Sequence, residues 1–247
     1  MKKIIVIFTA LLLLVGASWG GRQIYKKISA RPLTPQESKK LVVNYLEKKS
    51  GQSDFKSSLD ISQEKKPWQL LKVQYDAPPD YPTVYRLIGE HLSMADQLIH
   101  NSDSRQQENG LRIVTELCDV AQNVAVDSWL SARICDAYIL PNLSKAEENP
   151  KRGLSREQLM HLAGKIYLSA DEKDKAIELG KIYIAQTSSK SRADAARWRL
   201  GNLLENKGDR QEALKYYHEI SDPNFKSKLS KHIAMLEQNS SQKVPGN

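Results

Sequence analysis

The sequence predicts an all-α fold, and three features carry that expectation. A unit in the C-terminal half repeats: Gly164 and Gly201 are 37 residues apart, as are Ala176 and Ala213. Repeats of this period belong to stacked helical architectures, because one unit cannot bury its own apolar face. The composition is rich in Leu, Ala, Lys, Glu and Gln, with only 12 Gly in 247 residues, which favours helix over sheet. From Thr83 onward, apolar residues recur at helical spacing with brief breaks.

The chain begins with an uncharged apolar run, residues 4–19, preceded by Lys2 and Lys3. Such a run, flanked by charge, is a secretion signal or a membrane anchor. Trp19 and Tyr25 beside Lys26 and Lys27 form an interfacial belt; Gly16 and Ser18 could serve a signal cleavage, but Trp19 and the Gly20-Gly21 pair make the site poor. An uncleaved single-pass anchor through residues 4–21 is therefore expected, with the body outside the inner membrane in a periplasm-like space. The alternative is a cleaved signal and a free periplasmic chain. The formal charge is +8, but residues 1–33 hold six Lys or Arg and no acid, so the remaining body carries only +2. Bulk charge thus gives no reason to expect a nucleic-acid partner.

Residues 34–82 read as one helix followed by a Pro-containing linker. Thr34-Pro35-Gln36-Glu37 is a capping box with Pro at the first helical position. The helix carries Leu41, Val42, Tyr45 and Leu46 and ends near Ser50-Gly51. Pro67, Pro78, Pro79 and Pro82 then punctuate a polar stretch that holds Trp68, Leu70, Leu71, Val73 and Tyr75; neither helical spacing nor alternation fits it. Residues 83–237 form the helical-repeat domain. Val84 to Leu98 mark one helix, Leu111 to Ala121 a second, and Trp129 to Tyr138 a third that Pro141 stops. Residues 142–154 make the longest break. Ser155 with Gln158 caps the first clear repeat, a final helix from Phe225 to Leu236 covers the open end, and residues 238–247 form a polar, disordered tail.

The two clearest repeats span residues 157–223. The first carries Ala163-Gly164, Tyr167 and Ala176; the second carries Leu200-Gly201, Leu204, Gly208-Asp209, Ala213, Tyr217 and Pro223. A Gly or Ala lets a second helix approach closely, and Lys207-Gly208-Asp209 turns the chain, with Asp209 placed to cap the next helix. This pattern resembles the tetratricopeptide repeat. There are departures: Trp198 sits one position later than the family's Trp, Pro223 arrives about two residues early, and Gly180 stands where an aromatic is expected. The resemblance implies a short solenoid whose first helices line a concave face, at His161, Lys165 and Leu168 in one copy and Trp198, Asn202 and Glu205 in the other. Trp198 either packs on the preceding helix pair or, displaced into the groove, anchors a partner, flanked by Arg197 and Arg199 as ligands for an acidic segment.

No catalytic or metal pattern emerges. His91, His100, His161, His218 and His232 make no HExxH, and there is no P-loop, GxGxxG or GxSxG. No metal, cofactor or small-molecule substrate is expected. Cys118 and Cys135 lie at equal distances from a turn near residue 126, so antiparallel helices would bring them level. In an exported chain they are either a disulfide or two small buried apolar residues. The expected function is a non-enzymatic scaffold of the bacterial envelope that binds another protein's peptide or helix on its concave face. The alternatives are a structural homo-oligomer and an enzyme with an unfamiliar site in residues 52–154.

Overall fold

The computed structural model describes residues 33–52, 80–146 and 154–241. The apolar run at residues 4–21, the Pro-containing stretch 53–79 and the end of the tail from residue 242 lie outside the described residues. Among the described residues there are nine α-helices and no strand, and no helix is long and apolar enough to cross a membrane.

Local signals set the helix starts. In α1 (Pro35–Ser50) the Thr34 hydroxyl accepts from the Glu37 amide at 3.2 Å, and the Glu37 carboxylate accepts from the Thr34 amide at 2.8 Å. The helix closes on Gly51, whose φ of +71° admits the left-handed turn. Helices α2 (Tyr81–Ile99) and α3 (Ser104–Asn123) fold back on each other. They approach tightly at Gly110, where a Cβ would lie 2.7 Å from Ile99 and 2.8 Å from the Ala95 carbonyl oxygen. Asp103 caps α3 by accepting from the Arg105 amide.

The third expected helix is present but not uniform. An α-helical stretch, α4 (Ser128–Ile134), widens into a π-turn over Cys135–Ile139 and then tightens into a 3-10 turn over Leu140–Lys145. The Leu140 amide reaches back to the Cys135 carbonyl. Pro141 has no amide to extend the ladder, and the 3-10 winding ends at Lys145. Helix α1 packs against α2, α4 and the π-turn, burying Val42 and Leu46 in the same core as α2 and α3.

Four further helices, α5 (Arg156–Ser169), α6 (Lys173–Gln186), α7 (Lys190–Lys207) and α8 (Arg210–His218), follow the repeat. Each packs on the next, and α9 (Pro223–Ser241) packs on α8. The Ser155–Gln158 capping box forms as its spacing predicts. Gly208, at φ +97°, ends α7. Asp209 occupies the N-cap position of α8, but its carboxylate accepts no backbone amide there; it lies 3.7 Å from the Lys207 ammonium instead. The last helix runs to Ser241, so residues 238–241, expected in the tail, continue the helix.

Helix α6 belongs to two cores. Its Ala176 and Leu179 complete the large core of α1–α5, while Ile177 joins Leu200, Leu204, Tyr217 and Leu229 in a second core between α6 and α9. This is an all-α chain of stacked helix–helix contacts, compatible with a helical-repeat fold.

The second core is locked at its rim by Asp194, whose side chain is 1% exposed. It accepts from the Ser221 amide (3.1 Å) and hydroxyl (2.7 Å), the Asp222 amide (2.9 Å) and Arg197 (3.0 Å). Burial raises the carboxyl's pKa, but these donors outweigh it and hold it below its ordinary 3.8. A carboxyl depressed in the folded state stabilises above its unfolded value, and that contribution is lost as pH falls through the folded value. Asp194→Asn is expected to lose about 1 kcal/mol at neutral pH. In melting curves, its deficit against wild type should close below pH 3.8. A deficit that persists unchanged at pH 2 would refute the ionic origin.

Candidate functional site

A groove opens between α5, α6 and α7. Its floor is apolar: Met160 from α5, Ala176 and Leu179 from α6, and Leu200 from α7 are all buried. Leu168, Leu203 and Tyr183 form the walls, with Leu168 48% exposed. The rim carries His161 and Lys165 from α5 and Arg199 from α7. No carboxylate is among the groove's lining residues.

These rim groups are near enough to act on one another. Arg199 donates to His161 Nδ1 at 3.3 Å. Partial loss of hydration, then the charges of Arg199 and Lys165, lower the His161 pKa below its ordinary 6.5. Its imidazole is therefore neutral at neutral pH, consistent with accepting that bond. Among the described residues, neither Lys165 nor Arg199 has a carboxylate within ion-pair distance. The groove thus presents apolar surface beside two uncompensated cations. A ligand segment that is apolar on one side and acidic on the other matches it in both respects.

The sequence-selected residues divide into two sets. His161, Lys165 and Leu168 come together on the α5 side of the groove. Trp198, Asn202 and Glu205, one repeat further on, point into the next gap, between α7 and α9. There Trp198 sits 6.3 Å from the Phe225 ring, between centroids, and is 39% exposed. The Tyr217 hydroxyl donates to Asn202 Oδ1 at 2.6 Å and to Glu205 at 3.2 Å, and His232 approaches Glu205 at 2.8 Å. Arg197 pairs with Asp194 at 3.0 Å and Glu219 at 3.4 Å. So Trp198, Asn202 and Arg197 lie outside the open groove, and the α7 side of it is built by Ala196, Arg199, Leu200 and Leu203. The reason is geometric. Trp198 is turned about 100° around α7 from Arg199, which carries it from the α5 side to the α9 side.

The two cysteines are both fully buried free thiols, and no disulfide joins them. Cys118 Sγ lies 3.8 Å from the Ser131 carbonyl, and the Ser131 hydroxyl donates to the Cys118 carbonyl at 3.0 Å. Burial pushes the Cys135 thiol up to about 12 and Cys118 well above its usual range, so neither is a thiolate at neutral pH.

Fold and groove together define a class: an all-α chain of stacked helices with an open cleft between successive hairpins. No family model matches the chain, and neither do the curated proteins or solved structures compared with it.

Proposed function

We propose that this chain is a non-enzymatic, tetratricopeptide-like binding module of the bacterial cell envelope that docks a segment of another protein in the α5–α6–α7 groove. One observation carries the reading: an apolar cleft rimmed by Lys165 and Arg199, two cations without carboxylate partners among the described residues. Lone cations beside exposed apolar surface contribute little to folding, but they select an acidic partner and steer its approach. The repeat spacing and the close contact of Gly201 with Tyr217 support the tetratricopeptide-like arrangement. The apolar run 4–21 supports single-pass anchoring at the inner membrane, with the body in the periplasm. Alkaline phosphatase fused after Asn247 should then be active; an inactive fusion places the body in the cytoplasm.

Docking is tested with a photo-crosslinking amino acid at Leu168 in cells. A single heavier adduct should form, and Lys165→Glu combined with Arg199→Glu should reduce it about tenfold or more, as loss of two complementary charges implies. An adduct that survives the charge reversal would refute the reading. One of twice the chain's mass would show a homo-oligomer in its place.

The His161 pKa adds a pH dependence. An anionic segment next to the imidazole raises its depressed pKa, so ligand binding takes up a proton. Binding is expected to tighten as pH falls below 6.5. His161→Gln should flatten that slope while leaving the affinity at pH 8 close to wild type.

A further inference from the structure

The groove exists because one repeat lacks a ring that the other has. Positions 37 apart are equivalent in the two units, so Gly164 corresponds to Gly201 and Gly180 to Tyr217. In the second unit the Tyr217 ring lies flat against Gly201: a Cβ there would fall 2.4 Å and 2.8 Å from ring carbons. That ring is fully buried. In the first unit a Cβ on Gly164 would meet nothing within 4 Å, and one on Gly180 would meet only the Leu200 methyls, at 3.6 and 3.9 Å. The backbone frame that holds a ring is repeated, but the ring is not.

We infer that the space between Gly164 and Gly180 receives a phenylalanine side chain from the docked segment, with carboxylates of the same segment on Lys165 and Arg199. The inference rests on the groove-docking reading and names the chemistry of its ligand. Two glycines leave a flat opening that suits a planar ring, and Met160 and Tyr183 offer the sulfur and aromatic contacts such a ring favours. Aromatic residues seated in preformed pockets are the usual anchors of interfaces. The polar surroundings choose among aromatics. The Tyr217 hydroxyl donates to Asn202 and Glu205; the equivalent positions one repeat earlier hold Lys165 and Leu168, neither of which accepts a hydrogen bond. A phenol in the first unit would lose both acceptors, whereas phenylalanine loses nothing. The cation that replaces Asn202 suits a carboxylate flanking the ring.

The test uses the full chain in detergent micelles and a fluorescein-labelled, end-blocked peptide with one phenylalanine between two runs of glutamate. Replacing that phenylalanine by alanine should weaken binding about tenfold or more, and tyrosine should bind more weakly than phenylalanine. Gly180→Tyr restores the missing ring from within. It should reduce affinity to that of the alanine peptide while leaving the melting temperature unchanged or higher. Gly164→Leu closes the same space from α5 and should do likewise, which covers the case of Gly180→Tyr failing to fold. If phenylalanine and alanine peptides bind equally, and both lose affinity on Lys165→Glu, the ring site is overturned and the docking reading stands. Full-strength binding of the phenylalanine peptide to both filled variants also overturns it. Absence of binding by every peptide overturns the ring site and counts against the docking reading as well.

Discussion

Gly201→Leu is expected to destabilise the chain by about 3 kcal/mol or more, at the severe end of overpacking, while Gly164→Leu stays within about 1 kcal/mol of wild type, on the stabilising side. Both glycines sit inside helices, where glycine costs backbone entropy, so replacing either one gains helix propensity. What differs is the far side. A Cβ at Gly201 would lie 2.4 Å from the Tyr217 ring, well inside contact distance, and that ring cannot retreat. It is fully buried, and its hydroxyl is held by Asn202 and Glu205. Relief requires moving α8 away from α7 and opening the second core. At Gly164 the same Cβ meets open groove. Urea denaturation of both variants, followed by far-UV circular dichroism, measures the contrast. Equal destabilisation by the two substitutions would mean that the repeats are packed alike and that the groove is not a void. The contrast also bears on function, because Gly164→Leu should remain folded while losing its ligand.

Part of this architecture is legible in the sequence, and the rest depends on contacts that no local pattern encodes. Helix starts were legible because caps are local: Thr34 with Glu37 and Ser155 with Gln158 each satisfy one another across three residues. The repeat was legible because stacking imposes one spacing on both copies. The α5 side of the groove, His161, Lys165 and Leu168, followed from it. The α7 side did not. Whether Trp198 faces α5 or α9 depends on where α9 lies, and nothing local to Trp198 encodes that. Ala163-Gly164 and Leu200-Gly201 look alike in sequence, yet one glycine is open and the other is covered. The residue that decides is 16 positions further on, Gly180 or Tyr217. The departure at Gly180 was visible in the sequence as a missing aromatic; it becomes a cavity only once α7 is in place to wall it. The cysteines show a different limit: equal distance from a turn brings two residues level and both are buried, but spacing alone does not say whether their thiols are joined.

Asp136→Ala is expected to cost about 3–5 kcal/mol, the range for removing one partner from a buried ion pair. Asp136 lies in the π-turn, and its side chain is 11% exposed. One carboxylate oxygen accepts from Arg133 at 2.7 Å and from Lys175 at 2.7 Å; the other accepts from the Tyr167 hydroxyl at 2.5 Å. Glu172 completes the cluster, bonded to Arg133 and, at 2.9 Å, to Lys175. Two cations and two anions balance, and they join α4, α5 and α6. Burial foremost, then Cys135 and Asp136, raises the Tyr167 phenol far above its usual range, so it stays a donor. Without Asp136 the Arg133 side chain, 9% exposed, keeps only Glu172 as its ionic partner among the described residues. Its Nε already has no partner, so the cluster has no spare acceptor. The Tyr167 hydroxyl loses its acceptor at the same time. Glu172→Ala provides the comparison. Glu172 is 24% exposed and Lys175 40%, so water replaces more of what is lost, and a cost of about 1 kcal/mol is expected. Because the cluster ties the α5–α6 hairpin to the helices before it, Asp136→Ala should also speed hydrogen exchange at α5 and α6 more than at α8. A loss below about 1 kcal/mol for Asp136→Ala, or exchange raised evenly along the chain, would show that apolar packing alone holds that junction.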